Sequence, residues 1–109
     1  MKIQEQWILM RIYIGESDKC KHGKPLYESI VKKARELNIA GATVLRGILG
    51  FGNHSRIHSL KFLSLSEDLP IVIEIADKEE NIKKIMPFID QNVKEGLVTI
   101  EKVNIIKYS

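Results

Sequence analysis

Residues 7–14, Trp-Ile-Leu-Met-Arg-Ile-Tyr-Ile, put Ile8, Met10, Ile12 and Ile14 on one side of an extended chain and Trp7, Leu9, Arg11 and Tyr13 on the other. Side chains alternate between faces along a strand, so this segment is a strand with apolar residues on both sides. A chain built around it must cover two faces, and the remaining residues supply elements for only one of them. Residues 1–6 precede the strand as a loose N-terminal extension. Gly15 to Lys24 is a polar, partly basic loop. Pro25 suits the first turn of a helix, and Leu26, Ile30, Ala34 and Leu37 recur behind it at helical spacing. Asn38 and Gly41 are stop signals. Residues 42–49 read as a second strand, 50–59 as a loop rich in glycine and polar residues, and 60–65 as a short strand. After the break at Ser66–Pro70, residues 71–76 form a strand with Ile71, Ile73 and Ile75 on one face. Asp77 predicts a cap for a second helix, with Glu80 completing a capping box. Ile82, Ile85, Met86, Ile89 and Val93 line that helix, Pro87 predicts a kink in it, and Gly96 ends it. In the last strand, 97–107, the alternation slips between Ile100 and Val103, which predicts a bulge near Glu101–Lys102.

The order β-α-β-β-α-β in a single domain, residues 1–109, gives an α+β fold. Two right-handed βαβ units interleave into a ferredoxin-like sandwich, an antiparallel sheet with two helices on one face. In that topology loop 15–24, loop 50–59, the turn at Glu95–Gly96 and the start of the first helix meet at one end. Lys19, Lys21, His22, Lys24 and Arg56 gather there with several glycines. Exposed amides, a helix N-terminus and cations suit a phosphate; the same residues also read as a solvated basic loop. The face away from the helices presents Trp7, Leu9, Tyr13 and Val72, an apolar band that predicts an oligomer. Arg11 and Glu74 sit on that face in neighbouring strands as an expected ion pair.

Apolar residues make up 44% of the chain and charged ones 28%, which excludes a disordered chain. No apolar run approaches the ~20 residues of a membrane-spanning helix, so no membrane insertion is expected. Cys20 is the single cysteine and excludes a disulfide scaffold. Glu5 stands where a secretory apolar region would begin, so a cytoplasmic protein is expected. A net charge of +3 is too weak to imply nucleic acid. Strand 71–76 also lacks the aromatics that would stack on RNA bases. His54 and His58 could chelate a metal only from a helix, and Gly52-Asn53 argues for a loop. Cys20 has no identifiable base. Glu67-Asp68 and Glu79-Glu80 read as solvated pairs. These residues give no catalytic constellation, and the expectation is a protein that is not an enzyme.

Gly41-Ala42-Thr43-Val44 followed by Gly50-Phe51-Gly52 resembles the second-strand signature of PII signalling proteins. Arg11-Ile12-Tyr13-Ile14-Gly15-Glu16-Ser17, then Gly23-Lys24-Pro25-Leu26-Tyr27, resembles a PII-like branch of undefined function, and Pro70-Ile71-Val72-Ile73-Glu74 with the closing strand continues the match from residue 8 onward. The resemblance implies a homotrimer that binds an adenine nucleotide in the clefts between subunits. It also implies a mobile loop, here 50–59, that reports the nucleotide to a partner such as a membrane transporter or an enzyme. It puts Thr43, Gly50, Phe51 and Gly52 at the nucleotide cleft and loop base. Lys107 falls where the closing strand of the family has an arginine reaching a neighbour's phosphates. Around that cleft Arg46 is the fork for a phosphate or a base, Gly47 permits close backbone approach, and Lys24 and Arg56 are cations at the mouth. The chain departs from the family in three places. One extra residue separates Val44 from Gly-Phe-Gly, loop 52–59 is short and has no tyrosine, and the Gly-Asp-Gly-Lys phosphate loop is reduced to Glu95-Gly96. The last departure favours AMP or ADP over ATP, and 2-oxoglutarate sensing is not carried over. The alternative is a CutA-like trimer that handles divalent metal ions.

Overall fold

A computed structural model of the chain describes residues 1–51, 58–59 and 68–109, with the backbone alone at 58–59. In chain order the elements are β1 (Lys2–Gly15), α1 (Leu26–Glu36), β2 (Ala42–Arg46), β3 (Leu49–Gly50), β4 (His58–Ser59), β5 (Pro70–Asp77), α2 (Glu79–Asn92) and β6 (Leu97–Tyr108). The main sheet has the order β2-β5-β1-β6, all antiparallel, and β3 pairs with β4 in a separate short ribbon. This is the expected α+β sandwich. The core is the helix-facing side of β1 and β5, Ile8, Met10, Ile12, Ile14, Ile71, Ile73 and Ile75, packed against Leu26, Ile30 and Ala34 of α1 and Ile82, Ile85 and Ile89 of α2. Met10, Ile12, Ile30, Ile73, Ile75 and Ile85 have no exposed surface at all.

Several local expectations need correction. Residues 2–6 are not a loose extension: they belong to β1 and pair with β6, from Lys2 opposite Tyr108 to Gln6 opposite Asn104. β5 pairs only with Ile8–Gly15, so the lower half of β1 and the end of β6 continue together as a two-stranded ribbon. β6 carries no bulge. Its register with β1 is unbroken from Leu97 to Tyr108. The slip in alternation is a change in which face is apolar: Val98 and Ile100 lie on the helix side opposite Ile12 and Met10, while Val103 and Ile105 lie on the other side opposite Trp7 and Glu5. β2 ends at Arg46 and not at residue 49, because Gly47 turns its amide to the carbonyl of Pro70 (2.7 Å) before β3 begins. Pro25 is the N-cap of α1 and lies one residue before its first turn. Asn38, at φ 59°, closes α1 in the left-handed conformation as Ile39 N–H reaches the Ala34 carbonyl (3.0 Å). α2 runs unbroken through Pro87 to Asn92. The expected short strand 60–65 lies outside the described residues.

Asp77 is not the cap of α2: Lys78 holds that position, and its own side chain makes no capping bond. Asp77 is instead the buried last residue of β5. Its carboxylate accepts the Lys78 amide (2.7 Å), the Ala40 amide (2.9 Å) and the Asn81 side-chain amide (3.1 Å). It therefore ties the α1–β2 connection to the start of α2. Burial pushes this carboxyl up, but the bonds from Asn81, Lys78 and Ala40 and the charge of Lys78 outweigh it and hold it below the usual carboxylate value. Asp77→Ala leaves three part-buried donors without their acceptor and is expected to cost on the order of 2 kcal/mol at neutral pH. Because the folded-state value is the lower one, the stabilisation is present above the ordinary carboxylate range and is lost as pH falls through the folded value. The gap between wild type and Asp77→Ala in chemical denaturation should therefore be widest at pH 7 and narrow below about pH 4; a gap independent of pH contradicts this account.

Candidate functional site

The end of the sheet where β1 stops is organised by its own carboxylates. Gly15 N–H donates to Asp18 Oδ2 and Ser17 N–H to Asp68 Oδ1, both at 3.0 Å. A Cβ on Gly15 would stand 2.6 Å from Asp68 Oδ1, so a side chain there would displace this carboxylate from the Ser17 amide. The loop then folds on itself: Cys20 N–H reaches the Lys24 carbonyl (2.8 Å), Gly23 N–H reaches the Cys20 carbonyl (2.9 Å), and Gly23 takes φ 82°. Lys19, Lys21, His22 and Lys24 are exposed on it. The first amide of α1, on Leu26, is already bonded to the Asp18 carbonyl (2.8 Å). The turn at Gly96 meets the same end, where a Cβ would approach the Tyr13 carbonyl to 2.7 Å.

The residues expected at a nucleotide cleft are only partly brought together. Arg46, Gly47, Gly50 and Phe51 lie at this end with Lys24. The close approach that the glycines permit is to Pro70: a Cβ on Gly47 would stand 2.8 Å from Pro70 Cγ, and one on Gly50 would stand 3.2 Å from it. The Arg46 guanidinium is not free, since Nη2 meets Glu16 Oε2 at 2.5 Å. Glu16 also donates its backbone N–H to the Leu69 carbonyl (2.8 Å). Thr43 is exposed on the edge strand β2, opposite Glu74. Lys107 is at the other end of the sheet. It pairs with Ile3, whereas Arg46 is level with Ile14 through Ile71; at ~3.3 Å per residue that is roughly 36 Å along β1. Gly52, Arg56, His54 and the rest of loop 50–59 beyond Phe51, apart from the backbone of β4, lie outside the described residues.

Composition gave no sign of two further features. Ile48, Leu49 and Phe51 form an exposed apolar run just after β2, each more than three-fifths exposed. A shallow groove of about 440 Å³ lies at the opposite end from the loops, between the end of α1 and the start of β2, lined by Val31, Ala34, Arg35, Asn38, Ile39, Gly41 and Ala42. None of the expected site residues lines it. Among the described residues no group of three His, Cys, Asp or Glu side chains could hold a metal ion, and no helix is long and apolar enough to cross a membrane.

The face away from the helices carries the expected pair and more. Arg11 Nε lies 3.0 Å from Glu74 Oε2, and its Nη1 lies 2.7 Å from Glu101 Oε1. Bonding to Glu74 first, and then to Glu101, raises the guanidinium above its ordinary value. One cation thus links β5, β1 and β6. Glu101 reaches it because β6 keeps its register, so the expected bulge is what concealed this partner. Trp7, Leu9 and Val72 are half-buried around the cluster and Tyr13 is exposed. Trp7 Nε1 donates to Glu5 Oε1 (2.7 Å).

The arrangement matches known structures. The protein CPII from Thiomonas intermedia K12, described as a nitrogen regulatory PII-like protein and solved bound to ADP, AMP and bicarbonate, superposes with a TM-score of 0.64, 17% identity and coverage of 94% of this chain and 91% of that one. The apo form of CPII covers 99% of this chain and 100% of its own at a TM-score of 0.58 and 15% identity. The fold is that of PII-like signalling proteins. The family model DUF190, Uncharacterized ACR, COG1993, matches residues 7–105, and the chain belongs to that family. UPF0166 proteins are similar to it: one from Aquifex aeolicus is 40% identical over 98 residues (90% of this chain, 91% of the relative), and one from Methanocaldococcus jannaschii is 35% identical over 100 residues (91% of each).

Because either carboxylate can retain Arg11 when the other is gone, Glu74→Ala and Glu101→Ala are each expected to lower the melting temperature slightly. The double substitution should lower it by more than the two single shifts added together. Strict additivity would mean that the two carboxylates do not share one guanidinium.

Proposed function

We propose that this protein is a nucleotide-responsive regulator that acts by binding and not by catalysis. A homotrimer takes an adenine nucleotide, ADP or AMP in preference to ATP, between its subunits. Residues 50–59 then carry the state of the site to a partner, a membrane transporter or an enzyme. The observation that carries this reading is the fold shared with CPII, whose structures hold ADP and AMP. Two features of the chain support it. The apolar band around Arg11 lies on the face that the helices leave open, and a second copy is the natural cover. Thr43, Arg46, Gly47, Gly50, Phe51 and Lys24 lie along β2 and at the loop end, with Gly52 and Arg56 following in sequence. Lys107, roughly 36 Å away in its own chain, joins them only from a neighbouring subunit. The reduction of the family's phosphate loop to Glu95-Gly96 favours the shorter phosphate chains.

Calorimetry and thermal shift with AMP, ADP, ATP, cyclic nucleotides and divalent metals test the proposal. ADP or AMP should bind and raise the melting temperature. Arg46→Ala should weaken binding about tenfold. Light scattering should show a trimer at micromolar concentration. A stable monomer, or no response to any adenine nucleotide at millimolar concentration, overturns the reading; a response to metals alone replaces it with the CutA-like alternative.

A further inference from the structure

We propose that the Glu16 carboxylate is a built-in competitor for the anion site at Arg46: it occupies the guanidinium in the absence of ligand, and a phosphate group displaces it. The inference rests on the nucleotide-binding reading above and adds a regulatory contact to it. Three observations support the exchange. Glu16 Oε2 is already seated on Arg46 Nη2, so the position a phosphate oxygen would take is filled by an oxygen of the same charge. The Glu16 side chain is only 18% exposed while that of Arg46 is 57% exposed, so the carboxylate is held by the chain and the cation remains open to an incoming group. The pair also spans the root of the β2–β5 connection. Glu16 bonds through its amide to Leu69, and Gly47, next to Arg46, bonds through its amide to Pro70. Replacing carboxylate by phosphate therefore unties β1 from β2 at the point where that connection leaves and re-enters the sheet. A phosphate offers more acceptor oxygens and more charge than a carboxylate, so the exchange runs forward when ligand is present and reverses when it leaves.

Calorimetric titration of ADP into wild type, Glu16→Gln, Arg46→Ala, Arg46→Lys and the Glu16→Gln/Arg46→Ala double variant tests this, with melting curves to show that each is folded. Glu16→Gln keeps the shape and removes the competing charge. It should tighten ADP at least about fivefold, and the gain should vanish in the Arg46→Ala background. Arg46→Lys keeps a charge without the planar fork and should fall between wild type and Arg46→Ala. Hydrogen exchange at the Gly47 amide should speed up when ADP binds wild type and be already fast in Glu16→Gln. If Arg46→Ala weakens ADP but Glu16→Gln leaves it within twofold of wild type, the exchange is overturned and nucleotide binding stands. If wild type and Glu16→Gln bind no adenine nucleotide at millimolar concentration, both proposals are overturned, and an unchanged Gly47 exchange rate in Glu16→Gln then marks the pair as structural alone.

Discussion

Two helices can cover only one face of a four-stranded sheet, and most of what is distinctive in this chain stems from that limit. β1 is one of the two central strands, bonded to β5 on one side and β6 on the other. Its even-numbered residues from Ile8 to Ile14 are buried under α1 and α2, while its odd-numbered residues from Trp7 to Tyr13 face away from them. The second face has no covering element among the described residues. It holds a guanidinium shared by two carboxylates, set among Trp7, Leu9 and Val72. An apolar face with a charge cluster at its centre is poorly suited to bulk water, which hydrates the charges but not their surroundings. It is suited to an interface, where the charges are matched within each chain before the surfaces meet.

The fold was largely legible because its periodicities are strong. Apolar residues at every second position in β1 and β5, and at every third or fourth in α1 and α2, leave little choice of element. Misreadings arose where tertiary pairing overrides local pattern. Lys2 to Gln6 is too polar to look like a strand, yet it is held extended by β6. The change of apolar face in β6 looks like a bulge in one dimension, but in three it marks where the strand runs past the helices. Asp77 has the right type for a helix cap, but its burial turns it to the Ala40 amide across the chain.

The candidate site was less legible, for a related reason. A glycine in a sequence states only that something approaches closely. At Gly47 and Gly50 that neighbour is Pro70, 23 positions beyond the first of them. An arginine at a strand end states only that an anion is expected. The anion in place is Glu16, which no spacing rule connects to Arg46 because the two meet only once β1 and β2 are both in the sheet. Glu101 was missed because a bulge expected at that position breaks the register that carries it to Arg11.

The positions of the cations then limit how a site at the loop end can work. Lys19, Lys21 and Lys24 are exposed on a loop closed by its own hydrogen bonds, Arg46 is already paired, and the first amide of α1 is already used. Among the described residues a single chain therefore presents scattered charge and no preorganised cradle, and scattered surface charge binds weakly once salt screens it. Lys107 is too far along β1 to close the site in its own chain, but it lies at the tip of the β1–β6 ribbon, which extends past the end of β5. A ligand held by the loop end of one chain and the ribbon of another would bind only the assembled protein, and so would stabilise the assembly by the full free energy of its own binding. In such an assembly ligand affinity and subunit association would be one coupled quantity, and substitutions on the open sheet face would change both together.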